Sequence, residues 1–185
     1  MRWEDLFTDL EAQLAEAERA ELAGEVADRS RRELARLRLV DRLRAVVDRP
    51  VEVTTRGAGR LVGRLVDVAP EWLLVEERAG LSTLVPMAAV LAVAGLGARA
   101  EDPTGEGSVV ARLGLGVALR AVARDRSPVA LVLVDGGVLS GTIDRVGADH
   151  LDLAEHAPGE LRRAREVRGV RSVPFAALGA VRPAL

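Results

Sequence analysis

The chain has 185 residues, a formal net charge of −2, 49% apolar residues and only 2% aromatics. It holds no cysteine, which excludes disulfides and thiolate metal sites and fits a reducing cytoplasm. All 26 basic residues are arginine, and so small a net charge makes no global case for nucleic-acid binding.

The chain opens with MRWEDLFTDLE, acidic and amphipathic rather than a secretory signal. No apolar run reaches the ~20 residues of a membrane span. Trp3, Leu6, Phe7, Leu10, Leu14 and Ala17 recur at three- and four-residue spacing, and this periodicity predicts helix over residues 1–48, with weak points at Gly24 and Ser30. Residues 1–28 hold nine acids and two arginines, whereas residues 29–44 hold seven arginines and two acids. Such patterning suits a solvated helix with internal pairs, or an extension that docks on a partner. Leu39, Leu43 and Val46 continue the helix on a second face, and Pro50 stops it.

Over residues 51–93 the pattern turns to period two: Val51, Val53 and Thr55, then Leu61, Gly63 and Leu65. That predicts half-buried strands. Turns fall at residues 56–59 and 69–71, with further strands at 73–75, 84–85 and 90–93 and a sharp Pro86-Met87-Ala88-Ala89 turn. Residues 95–111, GLGARAEDPTGEGSVVA, read as an exposed linker. Residues 112–125 read as a second helix on Leu115, Leu119 and Val122, its start delayed by Gly114 and Gly116. Asp135-Gly136 predicts a two-residue type I′ hairpin in the following strand run.

The second half of the chain repeats the first. Residues 51–77 match residues 129–155 at 7 of 27 positions. VPMAAVLAV at 85–93 matches VPFAALGAV at 173–181 at 6 of 9, and RLRLVDRLRAV at 36–46 matches RLGLGVALRAV at 112–122 at 7 of 11. Three blocks in one order indicate a duplicated helix-plus-strands unit, and two copies are too few for a solenoid. The second copy carries about ten extra residues before Val173, including Glu160 to Arg171, whose five arginines and two glutamates give a local charge of about +3.

A helix followed by five short strands, with one turn before the last, resembles the Sm-like and SH3-like small barrels. Asp135-Gly136, Gly141, Ile143 and Val146 match the first Sm motif, and the Pro-x-Ala-Ala turns resemble the break before the last Sm strand. The resemblance implies an α+β fold: a long N-terminal helix and two duplicated five-stranded Sm/SH3-like barrels, each preceded by a helix. The implied divisions are an extension over 1–35, a first helix and barrel over 36–94, a linker over 95–111 and a second helix and barrel over 112–182, with an Arg-rich insert at 158–171. The uridine pocket of that family is not carried over. Its aspartate position is Ala69 or Gly147, Asn is absent, Trp72 and His150 are the nearest equivalents, and Arg168-Gly169 lies in the insert. The chain is also similar to proteins of high-GC bacteria labelled transcriptional regulators, but it shows no helix-turn-helix pair.

Catalytic signals are thin. Asp149-His150-x-Asp152 and Glu155-His156 are the only histidine clusters with acid–base or metal potential. Strand alternation puts His150 and Asp152 on one polar face, opposite Leu151 and Leu153. GxGxxG after a strand and GxSxG are absent. The expected function is therefore a non-enzymatic, cytoplasmic adaptor without cofactor or metal. It would act by protein association or self-association, through barrel edges and a docking face of Trp3, Phe7, Leu10 and Leu14. The alternative is a regulatory RNA- or DNA-binding protein that contacts phosphate through Arg162, Arg163, Arg165, Arg168 and Arg171. Few aromatics are present to stack on bases.

Overall fold

The computed structural model describes residues 16, 19, 21, 22, 24, 25, 28–97, 100, 113–158 and 167–184. The chain divides into two compact units, Met1–Arg38 and Leu39–Leu185.

In the first unit every described residue from 16 to 34 is helical. Arg29 Nε meets Glu33 Oε1 at 3.2 Å, an i,i+4 pair. Ala35 N donates to Arg31 O at 3.0 Å, and the chain then turns at 35–36. The expected continuous helix over 1–48 does not hold. Residues 37–38 are not helical, and the next helix, α1 (Leu39–Arg44), has 6 residues. The reason is burial. Val40 and Leu43 of α1 anchor in a core, whereas the described residues from 16 to 36 are all exposed.

In the second unit α1 leads into β1 (Pro50–Thr55), β2 (Gly59–Val68), β3 (Trp72–Arg78), β4 (Leu81–Pro86), a 3-10 turn (Met87–Ala89) and β5 (Val90–Ala94). Helix α2 (Leu115–Arg124) follows, then β6 (Val129–Leu133), β7 (Val138–Val146), β8 (His150–Glu155), β9 (Gly169–Pro174), a 3-10 turn (Phe175–Ala177) and β10 (Leu178–Pro183). The strands lie where alternation places them. In β1, Val51, Val53 and Thr55 are buried and the residues between them are less so.

The expectation of two small closed barrels is overturned. The ten strands form a single antiparallel sheet in the order β5-β1-β2-β3-β4-β10-β6-β7-β8-β9. Residues 39–97, the first half, and residues 113–184, the second half, share one pairing pattern: first strand to second, second to third, third to fourth, first to fifth. Neither half closes on itself. The edge of β4 is taken by β10, with Val181 registered on Leu84. That edge is apolar, and Leu84 lies in the same buried cluster as Leu131, Ile143 and Leu153 of the second half. Burying it there, at roughly 1.5–3 kcal/mol per large side chain, favours one continuous sheet.

Two cores result. One holds Leu43, Val53, Leu61, Leu65 and Leu73 of the first half. The other holds Leu119, Leu131, Ile143, Leu151 and Leu178 of the second half, together with Ala69, Trp72 and Leu84 of the first. Leu96, at the start of the expected linker, is buried in the first core, and Arg42 Nη2 donates to Gly97 O at 2.7 Å.

The β6–β7 turn is also not the expected two-residue type I′. Leu133 N donates to Gly137 O at 2.7 Å, so residues 134–136 form a three-residue loop. Only Gly136 takes positive φ, at 89°. Asp135 Oδ1 accepts from Gly137 N at 2.8 Å instead, an Asx turn that leaves Asp135 in an ordinary conformation.

Candidate functional site

The sheet ends on β5 at one side and on β9 at the other. In β9, residues 169–172 are all exposed, with Val170 at 62%. In β5, Leu91 is 58% exposed. The corresponding strands at the seam differ: β4 is buried from Thr83 to Pro86, and β10 from Leu178 to Val181. The same element is thus covered inside the sheet and bare at its ends. Bare strand edges are templates for pairing with another chain.

The β8–β9 ladder fixes which groups face outward. Phe175 N donates to Asp149 O at 2.7 Å, and Val173 and Arg171 register on Leu151 and Leu153. Antiparallel pairing alternates, so these residues spend their backbone groups on β8. Val170 and Ser172 direct theirs away from the sheet.

The seam is built mainly from side chains of the first half that reach the start of α2. Glu71 Oε2 accepts from Leu115 N at 2.7 Å, a carboxylate on the positive end of the helix. Trp72, only 5% exposed, donates from Nε1 to Leu113 O at 2.9 Å. Arg182 Nη2 reaches back to Ala58 O at 3.4 Å. Two glycines permit close approach of the backbones. A Cβ at Gly57 would overlap the Leu133 carbonyl oxygen, and one at Gly179 would overlap the Arg56 carbonyl oxygen.

The histidines do separate work. His150 and Asp152 face outward on β8, whereas Leu151 and Leu153 are fully buried. His150 Nδ1 lies 2.9 Å from Asp149 Oδ1. That bond holds the imidazole pKa above its ordinary value and the Asp149 carboxyl below its own. Asp152 Oδ1 accepts from Ser172 Oγ at 2.6 Å, joining β8 to β9. His156 is buried at 3% exposure. Its Nδ1 lies 3.0 Å from Ala157 O and its Nε2 2.9 Å from Thr142 Oγ1. A carbonyl only accepts, so Nδ1 is the donor there, and Nε2 is hydrogen-bonded to the Thr142 hydroxyl. Both ring nitrogens are committed to holding the end of β8. A cleft of about 310 Å³ lies alongside, lined by Val138, Ser140, Glu155, His156, Pro158 and Arg168 among others.

Of the arginines read as phosphate contacts, Arg168 borders this cleft and Arg171 on β9 places Nε 3.0 Å from Glu155 Oε1. Arg162, Arg163 and Arg165 lie outside the described residues, as do Trp3, Phe7, Leu10 and Leu14. Among the described residues no group of three or more His, Asp or Glu side chains gathers as a metal ion would need, and no helix is long and apolar enough to cross a membrane.

Set against known proteins, the chain matches no family model and no curated protein. Sequence reasoning missed the seam residues Glu71, Leu113 and Gly179. The available signal was the mismatch between aligned positions: Trp72 stands against His150, Leu84 against Ser172 and Gly179 against Leu91.

Proposed function

We propose that this chain is a non-enzymatic, cytoplasmic adaptor that binds protein by accepting an extended segment on β9. We read its two halves as copies of one helix-plus-strands stretch. The observation that carries the proposal is the exposed run 169–172 on a terminal strand whose counterpart β4 is covered by β10. An added strand would gain the outward N–H and C=O groups of Val170 and Ser172 and would cover the Val170 side chain. The N-terminal face of Trp3, Phe7, Leu10 and Leu14 is the second docking surface in this reading.

The β9 edge draws less support as a phosphate site, because the Arg171 guanidinium already sits on the Glu155 carboxylate. Capture from a lysate with the native chain, with Val170→Pro and with residues 1–30 deleted tests the adaptor. Proline is tolerated on an edge strand but removes one outward donor. The expected result is a protein partner that Val170→Pro or the deletion releases. Captured RNA or DNA, bound in a salt-sensitive way and lost when Arg162, Arg163, Arg165, Arg168 and Arg171 become Ser, would replace this reading with nucleic-acid regulation.

A further inference from the structure

The seam and the two free edges are related by a simple rule. If a second copy placed its β5 against β9 as β10 lies against β4, the sheet would continue from chain to chain. Val93 would then register on Ser172 as Val181 registers on Leu84. Head-to-tail contacts of this kind close into rings or run on as filaments. Each position that makes the seam can be compared with its counterpart at the outer edges.

The counterparts do not fit. Gly57 takes a φ of 84° and a Cβ there would overlap Leu133 O, whereas its sequence counterpart Asp135 takes no positive φ, so the two turns differ in shape. Gly179, where any Cβ would overlap Arg56 O, is matched by Leu91. Both glycines lie where backbone meets backbone, so a side chain there cannot swing aside. Gly179 and Leu91 are the same structural residue: each interrupts the register of its strand, between Leu178 and Ala180 of β10 against β6 and between Val90 and Ala92 of β5 against β1. At this bulge glycine leaves room and leucine projects.

The remaining seam positions change as well. Trp72, buried and bonded to Leu113 O, is matched by His150, whose side chain is 47% exposed and bonded to Asp149. Glu71, long enough to reach Leu115 N, is matched by the shorter Asp149. Leu84 in the second core is matched by Ser172, which is bonded to Asp152. Apart from Glu71 and Arg182, apolar or space-making groups stand at the seam, and polar or bulky ones stand opposite them at the free ends.

We infer that the seam occurs once by construction. Gly57 and Gly179 admit the pairing within the chain, and Leu91, at the bulge where Gly179 makes room, forbids the same pairing between chains. The outer edges are thereby kept from the chain's own copies. This holds whether or not a partner docks on β9.

Because the chain has no cysteine, engineered pairs report each junction cleanly. Val93→Cys with Ser172→Cys reports contact between copies. In the otherwise native chain, mild oxidation should give no disulfide-linked oligomer. Adding Leu91→Gly, Asp135→Gly and His150→Trp should make linked oligomers the major species. Linkage already present without those changes would overturn the inference. So would its absence from a relieved variant that keeps the native circular dichroism spectrum.

The converse pair covers the case of a relieved variant that does not fold. Leu84→Cys with Val181→Cys should close within one chain, and adding Gly179→Leu should abolish that closure. Undiminished closure in the presence of the leucine would overturn the inference.

Discussion

The carboxylate of Glu71, in the turn after β2, accepts the backbone N–H of Leu115 at the start of α2, 44 residues later in the chain, at 2.7 Å. One half of the sheet thus caps the helix of the other half. A carboxylate on the positive end of a helix satisfies an orphan donor and opposes the helix dipole. Glu71→Ala should lower unfolding free energy by about 1 kcal/mol. Glu71→Gln should retain much of that contribution, since the bond survives and only the charge is lost. Urea unfolding of both variants checks the order.

Trp72 gives a larger effect by a different route. Its indole is buried in the second core and its N–H is spent on Leu113 O. Trp72→Ala should cost about 3–5 kcal/mol through the cavity it leaves. Trp72→Phe should cost roughly 1–3 kcal/mol, because the Leu113 carbonyl loses its donor while most of the packing stays. The gap between the two in urea unfolding separates volume from hydrogen bonding.

Gly63 and Gly141 occupy matching places on β2 and β7. A Cβ at Gly63 would strike Glu76 O, and one at Gly141 would strike Ala154 O. Neither backbone oxygen can rotate away. Alanine at either position should destabilise the protein by at least ~2 kcal/mol, in the range of over-packed interiors. Gly169 on the free edge has open space, and Gly169→Ala should be neutral or slightly stabilising. Thermal melts of the three variants would show two large shifts and one small one.

His150 sets a pH dependence of known sign. Its bond to Asp149 raises the imidazole pKa above the ordinary value of 6.5. A raised folded-state pKa means that the folded chain holds the proton more tightly than the unfolded chain does. The stabilisation is therefore complete below pH 6.5 and fades as pH rises through the folded-state value. Asp149→Asn should return the His150 NMR titration to the ordinary range and flatten the stability profile in that window. A His150 midpoint at or below 6.5 in the native chain would contradict this geometry.

Much of the fold was legible in the residues. Val51, Val53 and Thr55 alternate, and they alternate in burial too. The Pro-x-Ala-Ala phrases each become a 3-10 turn after proline. These features are local, so a short window contains their cause. The joining of β4 to β10 is not local. Both strands look like half-buried strands wherever they pair, and the chemistry that directs one to the other is spread over Gly57, Trp72, Leu84 and Gly179. Small barrels were expected because each half has the strand order of one, but strand order alone does not say which edges meet. The hairpin at Asp135 was misread for a related reason. Asp-Gly favours a two-residue turn, but the Asp135 side chain capping Gly137 N stabilises a three-residue loop equally well. The histidine cluster was read correctly as a polar face at His150, whereas His156 turned inward to tie down the end of its strand.

The position of β10 also orders the way the molecule is made. Val181 and Leu84 are 97 residues apart, and β10 is synthesised after the other nine strands. Until it emerges from the ribosome, the apolar β4 edge and the inner edge of β6 have no partner. Such unpaired edges on a growing chain invite misassociation, and contacts this distant in sequence form slowly. Of the ten strands, β10 therefore acts as a keystone: it supplies Leu178 and Val181 to the core of the second half, and the same strand that completes that half also joins it to β4.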